Sequence, residues 1–356
     1  MKKRIDGLRE LLVENELEAM IVNNAANRRY LSGFTGTAGG VLVTREEALL
    51  LTDFRYTEQA KEQAPDLEVR EFDDKLINLL AELIEEFKIE KLGFEARELT
   101  YNQYLKYKEN LDVELKGARN LVQKLRLVKD KAEIEKIKKA VKLADKAFSR
   151  TDEWLKPGVK EQEISLELEF FMKKEGASDK AFDFIVASGV RSSLPHGVAS
   201  KKELKNGEFV KMDFGCVYEG YHSDITRTVV LGEEPTKKQR EVYDLVLKAQ
   251  EEALDFIEAG KTGKEVDKVA RDVIKDAGYG DYFGHGLGHG VGLEIHEGPK
   301  LSWQDDTTLE SGMVVSVEPG VYLPDWGGVR IEDLVVVKED GCEILTSAPK
   351  ELKIIK

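Results

Sequence analysis

Helical and strand-like spacings of apolar residues alternate along the first 120 residues of the chain. The segment near residues 4–16 carries apolar residues three or four positions apart, which is the spacing of an amphipathic helix. The patterns that follow predict strands in EAMIVNN, VLVT, ALLLTD and LEVREF, and helices in FRYTEQAKEQ and KLINLLAELIEEF. This alternation predicts an α/β domain.

A long charged helix, predicted to begin near Lys129, separates this part from the rest of the chain. Ile134 and Ile137 lie on its apolar face. A second amphipathic helix, EISLELEFFMKKEGA, precedes a region of longer strands. The strand patterns are FDFIVAS, EFVKMDFG, ITRTVVL, MVVSVEP and VRIEDLVVV, with helices at KQREVYDLVLKAQEEALDFI and KEVDKVARDVIKDAG. We therefore predict two domains, residues 1–124 and residues 125–356.

The charge balance argues against several classes of partner. The 356-residue chain has 54 basic and 68 acidic residues, and its formal net charge of −14 disfavours binding to nucleic acid or to an anionic membrane. Its first 16 residues lack the apolar centre of a signal peptide, and no run approaches the roughly 18 apolar residues of a membrane span. We expect a cytoplasmic protein. Cys216 and Cys342 lack metal-ligand spacing, so a thiolate zinc site is not expected.

All the histidines lie in the second predicted domain. They are His196, His222, His285, His289 and His296, and three of them fall in the glycine-rich stretch GHGLGHGVGLEIHEGP. The glycines oppose a helix, so the four-residue spacing of His285 and His289 does not predict a helical zinc pair. We expect the glycines to let the backbone turn and to let a substrate come close. His222 is expected to have a structural role.

Four acidic residues occupy unusual positions in this domain. Asp213 lies inside an apolar strand, and Asp224 opens another strand eleven positions later, with GCVYEGY between them as the turn of a hairpin. Glu318 ends an apolar strand and Glu332 lies within another. Single acids of this kind usually pair with Lys or Arg, but buried carboxylates commonly hold a cation. Four acids and an imidazole can surround two divalent metals, with Mn²⁺, Co²⁺ or Fe²⁺ preferred and Zn²⁺ possible.

The ordered set Asp213, Asp224, His289, Glu318 and Glu332 resembles the ligands of the methionine aminopeptidase and prolidase superfamily of metallopeptidases. The flanking motifs MDFGxxYxGYHSDITRT, GHGLGHGVGLEIHE, VEPGVY and GGVRIED are similar to those of its Xaa-Pro branch, aminopeptidase P and prolidase. NRRYLSGFTGTAGG and LLTDFRYTEQA are similar to the amino-terminal domain of that branch. The resemblance spans nearly the whole chain. It implies a mixed α/β (α+β) fold, in which a small creatinase-like domain precedes a pita-bread catalytic domain.

The resemblance also implies how a pair of metal ions is bound. Asp213 is expected to chelate one ion with both oxygens, Asp224 and Glu332 to bridge the pair, and His289 with Glu318 to complete the other ion. Glu318 is also expected to accept the proton of the bridging water. Manganese is the preferred metal. The implied reaction is hydrolysis of the bond between the first residue and a proline at the second position of a short peptide.

Further residues are expected from the resemblance to contact the substrate. His296 matches the histidine that contacts the scissile carbonyl, and His196 matches the one near the leaving side. His285 is expected in the substrate pocket, together with Tyr221. Arg330 matches an arginine that stands before the last ligand, and we expect it to orient the carboxylates with paired hydrogen bonds.

Several functions stay open at this point. Lys300 stands where prolidases carry an arginine for the free carboxylate of a dipeptide, and lysine loses the two-pronged geometry of arginine. Aminopeptidase and dipeptidase activities are therefore both open. A non-catalytic binding module and a metal-free creatinase-like C–N hydrolase are alternatives that lack the full ligand set, and the amino-terminal domain opposes a general methionine aminopeptidase. That domain also implies a homodimer.

Overall fold

The computed structural model describes residues 1–356 and divides into two compact units. The first unit is Met1–Arg126 and the second is Leu127–Lys356, so the division falls two residues after the predicted boundary. None of the helices combines the length and the apolar composition that crossing a membrane requires.

The first unit is a six-stranded sheet with helices. In chain order its elements are α1 (Lys2–Glu14), β1 (Ala19–Val22), α2 (Ala25–Ser32), β2 (Gly40–Thr44), β3 (Ala48–Thr52), α3 (Thr57–Gln63), β4 (Glu68–Glu71), α4 (Leu76–Phe87), β5 (Lys91–Glu95), α5 (Tyr101–Asn110), β6 (Glu114–Ala118) and α6 (Leu121–Arg126). The strand order is β4-β3-β2-β1-β5-β6, with β2 antiparallel to both of its neighbours and the other pairs parallel. The apolar strands predicted from the sequence form the centre of this sheet, because β1, β2 and β3 are almost wholly buried.

The second unit has more strands and longer helices. Its elements are α7 (Lys131–Ser149), α8 (Thr151–Trp154), α9 (Glu161–Lys174), β7 (Asp179–Lys180), β8 (Ile185–Ser188), β9 (Phe209–Phe214), β10 (Cys216–Tyr218), β11 (Tyr221–His222), β12 (Ile225–Leu231), α10 (Lys237–Phe256), α11 (Gly263–Asp276), β13 (Gly288–Gly290), β14 (Glu297–Leu301), β15 (Val314–Val317), β16 (Gly320–Leu323), β17 (Gly327–Arg330), β18 (Asp333–Lys338), β19 (Gly341–Ile344) and β20 (Ile354–Ile355). Short 3₁₀ helices span Gly189–Ser193 and Gly280–Tyr282. The sheet orders are β11-β10-β7, β20-β12-β9-β8, β14-β13-β15-β18-β19 and β16-β17.

Two hydrophobic cores support the two larger sheets of this unit. One core packs α7 and α9 against β8, β9 and β12, and the other packs α10 and α11 against β15 and β18. The central strands β9 and β12 are buried along their whole length, as their continuous apolar sequences predict. Helix α7 begins at a capping box, in which Asp130 and Glu133 each accept the backbone N–H of the other.

A buried ion pair ties these two sheets together. The Arg227 guanidinium, on β12, donates to Asp333 Oδ1 of β18 at 2.7 Å and to the backbone oxygens of Glu332, Ala348 and Pro349. Both side chains of the Arg227–Asp333 pair are only 1% exposed. A buried charge that loses its partner is strongly destabilising.

We expect Asp333→Ala to lower the free energy of unfolding of this unit by about 3–5 kcal/mol, because it leaves the Arg227 charge buried without its counter-ion. The measurement is chemical denaturation followed by circular dichroism. Glu234→Ala is the control, since Glu234 pairs with Arg240 in solvent and such pairs contribute about 0–1 kcal/mol. Equal losses in the two variants would contradict the role given to the buried pair.

Candidate metal centre

Asp213 and Asp224 lie at the same end of the β9–β12 pair. Asp213 is the fifth residue of β9 and is paired with Thr226, while Asp224 immediately precedes β12. The segment between them is an inner hairpin, β10–β11, rather than a simple turn. Its turn residues, Glu219 and Gly220, have φ values of 46° and 82°, as a type I′ turn requires.

Glu318 and Glu332 are arranged in the same way at the β15–β18 pair. Glu318 follows the last residue of β15, and Glu332 precedes the first residue of β18. Because Val317 is paired with Asp333, the next positions outward are Glu318 and Glu332. The backbone N–H of Glu332 donates to Thr226 O at 3.1 Å and so joins the second strand pair to the first. The four acids therefore converge on one place.

His289 reaches the acids from the short strand β13. Its Nδ1 lies 3.1 Å from Gly290 O, so Nδ1–H donates to this carbonyl and the Nε2 lone pair stays available. The Nε2 atom lies 3.4 Å from Glu318 Oε1 and 3.6 Å from Asp224 Oδ2. The Ser316 hydroxyl accepts from the His289 N–H and donates to Glu318 Oε1, both at 3.1 Å.

Glycines allow β13 to fit between its two neighbours. A Cβ atom on Gly288 would stand 1.9 Å from Ser316 O, and one on Gly290 would stand 2.0 Å from Gly298 O. These glycines let neighbouring backbone segments approach each other closely. The approach of a substrate, which the sequence predicted, is not needed to explain them. His289 is thereby held against strands β14 and β15.

The charges of this cluster favour the binding of a cation. Burial raises the pKa of Asp224 and of Glu332, and it raises the pKa of Glu318 to about 7 against the opposing charge of Arg330. Asp213 Oδ1 and Glu332 Oε1 are buried without a hydrogen-bond partner. Unsatisfied buried carboxylate oxygens are costly, so the residues present fit a divalent metal site.

The donor atoms are close enough to share ions. One ligand atom each from Asp224, His289 and Glu332 lie within 4.8 Å of one another. Glu318 Oε1 also lies close to His289 Nε2, and Asp213 joins the cluster through Arg330. A set of carboxylate oxygens with one imidazole nitrogen suits Mn²⁺, Fe²⁺, Co²⁺ or Zn²⁺.

Arg330 is buried beside the acids and spreads its hydrogen bonds over several groups. Its Nη2 donates to Asp213 Oδ2, its Nε donates to Thr226 Oγ1 at 3.0 Å, and its Nη1 donates to Tyr322 O–H at 2.8 Å. Thr226 Oγ1 in turn donates to Glu332 Oε2 at 2.7 Å. The guanidinium orients the carboxylates through separate contacts, and it does not make the expected paired bond to one of them.

His285 belongs to the same hydrogen-bond network. Its Nδ1 lies 2.8 Å from Gly286 O and its Nε2 lies 2.8 Å from the Tyr322 hydroxyl. Burial lowers the pKa of His285 to about 4, so the ring is neutral near pH 7. Tyr322 was not singled out from the sequence. The signal available for it was its position in VEPGVY, four residues after Glu318.

The other predicted residues lie around this centre or next to it. The His296 ring packs edge to face on His289 with a centroid distance of 4.4 Å, and it is exposed. His196 is exposed in the segment between β8 and β9. His222 Nδ1 lies 3.1 Å from Gly292 O, which supports the predicted structural role.

Tyr221 and Lys300 have different surroundings. Tyr221 is buried and its hydroxyl donates to Glu133 Oε1 at 2.9 Å, so its predicted contact with substrate stays a prediction. Lys300 lies on β14, where it is the cross-strand partner of His289, and its side chain is exposed. Cross-strand partners point to the same face of a sheet, so Lys300 and His289 share one face.

The fold and the carboxylate–histidine cluster define the class of a metal-dependent hydrolase, and comparison with known proteins identifies the family. Residues 135–339 match the model of metallopeptidase family M24, and residues 4–128 match the creatinase/prolidase N-terminal domain. The chain belongs to metallopeptidase family M24. The predicted family and the predicted two-part α/β fold are thereby confirmed, and so is the predicted metallopeptidase class.

Similar proteins cover the whole chain. An Xaa-Pro dipeptidase of Pyrococcus furiosus is 43% identical over 356 residues, which are 99% of this chain and 100% of that protein. The structure of an Xaa-Pro dipeptidase from Bacillus anthracis has a TM-score of 0.98 and 49% identity, with 99% of both chains covered. An X-Pro aminopeptidase from Thermotoga maritima has a TM-score of 0.90 and 44% identity, with 95% of this chain and 98% of that chain covered.

We expect Asp224→Asn and Glu332→Gln each to weaken metal binding by at least about tenfold, because each removes a negative oxygen donor from the buried cluster. The measurement is titration calorimetry of chelator-treated protein with Mn²⁺. Glu310→Gln, at an exposed acid of the same unit, is the control and should bind like the wild type. Unchanged affinity in both cluster variants would contradict the site.

The metal-free protein should show a stability penalty from Glu318 at high pH. Burial raises the pKa of Glu318 from 4.5 to about 7, so its contribution to stability is complete below about pH 4.5 and is lost as the pH rises through 7. Glu318→Gln cannot ionise. In calorimetry of chelator-treated protein, we expect this variant to gain stability relative to the wild type between pH 5 and pH 8. A difference that does not change with pH would argue against the raised pKa.

Proposed function

We propose that the protein hydrolyses the Xaa-Pro bond at the amino terminus of short peptides, using two divalent metal ions. The observation that carries the proposal is the convergence of four carboxylates, three of them buried, and His289 at the ends of two antiparallel strand pairs. Relatives that are 43% to 49% identical over nearly the whole chain and carry Xaa-Pro or X-Pro peptidase names support the substrate class. Mn²⁺ is the metal that we propose.

Five residues are proposed to hold the ions: Asp213, Asp224, His289, Glu318 and Glu332. When bound, two divalent ions lower the pKa of a shared water and polarise the carbonyl of the scissile bond. The chain provides the negative charge that balances them. Arg330 keeps the Asp213 carboxylate in place through its contact with Oδ2, and Thr226 holds Oε2 of Glu332.

Glu318 is proposed to move the proton in the reaction. Its Oε1 accepts from the Ser316 hydroxyl, which leaves Oε2 to receive the proton of the attacking water. The leaving group is the secondary amine nitrogen of proline, which needs that proton when the bond breaks.

Three histidines are proposed to position the peptide. His296 stands exposed against the ring of His289, where its imidazole can hydrogen-bond to the scissile carbonyl. His285 is held neutral by burial, and its bond to Tyr322 fixes the ring beside the pocket. His196 is proposed to contact the substrate on the leaving side. Tyr221 is proposed to contact the substrate, with its hydroxyl held by Glu133.

Lys300 decides the length of peptide in this proposal. Its side chain lies on the same face of the sheet as His289 and makes no ion pair, so its ammonium group can bind the free carboxylate of a dipeptide. This favours Xaa-Pro dipeptidase activity. Aminopeptidase activity is the second candidate, since one similar structure is of an X-Pro aminopeptidase.

The donor set, the family and the charge of the chain bear on the alternatives, the partners and the location of the protein. A non-catalytic binding module and a metal-free C–N hydrolase both conflict with the complete set of metal donors. The creatinase/prolidase N-terminal domain supports a homodimer, and the net charge of −14 supports a peptide as the partner over nucleic acid. We propose a cytoplasmic location.

The function is tested by hydrolysis of Ala-Pro and Ala-Pro-Ala by chelator-treated protein supplied with Mn²⁺, Co²⁺ or Zn²⁺. We expect metal-dependent cleavage of Ala-Pro that is abolished in Asp224→Asn. Lys300→Ala should raise KM for Ala-Pro about tenfold or more, because one charged hydrogen bond contributes about 1.5–3 kcal/mol. Lys300→Arg should restore it.

Two results would revise this function. Cleavage of Ala-Pro-Ala at a rate that Lys300→Ala leaves unchanged would make the protein an aminopeptidase. Cleavage of neither peptide with any of the three metals would refute the Xaa-Pro reaction. Lys201→Ala, at an exposed lysine of the same unit, controls for a general effect of removing positive charge.

A further inference from the structure

The segment of residues 188–200, in the connection from β8 to β9, is held by side chains on both sides of His196. Lys211 Nζ donates to Leu194 O at 2.7 Å, and Arg330 Nη1 donates to Pro195 O at 3.1 Å. The two carbonyls immediately before His196 are therefore each fixed by a buried side chain. Lys211 and Arg330 come from β9 and β17, the rigid strands that carry or adjoin the metal donors.

One carboxylate closes the base of the same segment. Glu161, at the start of α9, accepts from Ser188 N–H and O–H at 2.8 and 2.9 Å and from Ser200 N–H and O–H at 3.1 and 2.6 Å. It also pairs with Arg191, whose Nη2 donates to Val198 O at 3.0 Å. Glu161 is wholly buried, so the two ends of the segment meet at a single carboxyl group.

The imidazole of His196 has no fixed partner of its own. It is exposed and its ring makes no hydrogen bond, so the position of the ring depends on the backbone that carries it. The backbone that carries the ring is nevertheless tied to the site, because Arg330 donates both to Pro195 O and to Asp213 Oδ2.

Lys211 is not explained by packing alone. It is fully buried in the apolar strand β9, it makes no ion pair, and its Nζ lies 4.8 Å above the ring of Tyr322. An apolar residue at this position would avoid the cost of burying an amine. The contact that an apolar residue could not make is the hydrogen bond to Leu194 O.

We propose that Glu161 and Lys211 are positioning residues that set the place of His196 beside the metal centre, Glu161 from the base of the 188–200 segment and Lys211 through its bond to Leu194 O. The kinetic part of this inference rests on the proposed Xaa-Pro peptidase function. Neither residue touches the substrate. Both act through the imidazole, because a displacement of about 1 Å in a contact group can reduce a rate substantially.

The first test observes His196 directly and needs no activity. The chain has five histidines, so the ring signals of protein labelled with ¹³C-histidine can be assigned by single His→Gln variants. In the Zn²⁺-bound protein, we expect Glu161→Gln and Lys211→Met each to shift or broaden the His196 signal and to leave His222 unchanged. Glu167→Gln, on the exposed face of α9, and Lys201→Met are the matched controls.

The second test is a double-mutant cycle with Ala-Pro as substrate. Glu161→Gln and Lys211→Met should each lower kcat about tenfold in the wild-type background, since orientation effects of this size follow from small displacements. Neither should lower kcat further when His196 is already alanine, because both act through that ring. If Glu161→Gln does not fold, Ser200→Ala removes one of the five hydrogen bonds to the carboxylate and should give a smaller effect of the same kind.

Two outcomes would overturn the inference. One is an unchanged His196 signal in both variants, and the other is an equal loss of kcat with and without the His196 ring. Failure of the Xaa-Pro function is distinguishable, because the wild type would then cleave no peptide while the ring signals would still report on the positioning of His196.

Discussion

The burial of four carboxylates at one place is the constraint on which the rest of the catalytic unit depends. The ends of two apolar strand pairs bring Asp213, Asp224, Glu318 and Glu332 together, and burial raises the pKa of three of them. Two of the carboxylate oxygens have no hydrogen-bond partner. A cluster of this kind either binds cations or loses part of its charge by protonation. The strands therefore create a metal site by forcing like charges together.

Two arginines orient these acidic residues without neutralising the whole cluster. Arg330 contacts Asp213 and, through Thr226, acts on Glu332, while Arg227 fixes the backbone of Glu332 from the other side. Each guanidinium divides its donors among several acceptors. The carboxylates are thus oriented before any ion binds, so little freedom is lost on binding.

The groups proposed to touch the substrate lie outside these rigid strand ends or at the surface. His196 stands in the segment between β8 and β9, His296 stands in the irregular segment before β14, and Lys300 lies on the short strand β14. All three are exposed, whereas the proposed metal donors are largely buried. Substitutions of these exposed residues can change the substrate specificity without disturbing the metal cluster. This separation fits a family whose similar members are named dipeptidase and aminopeptidase.

The sequence by itself determined the α/β class, the family and the five proposed metal donors, because acids inside apolar strands and glycine-flanked histidines are local signals. It did not reveal strands β5 and β6, whose short sequences KLGFE and ELKGA lack a clear period. Only the tertiary structure brought in Tyr322, Glu161 and Lys211. Their partners are distant in the sequence or are backbone carbonyls, as in the bonds from Lys211 to Leu194 and from Ser200 to Glu161. The spacing of apolar residues along the sequence indicates whether a side chain is buried. Which group that side chain contacts is decided only by the tertiary structure.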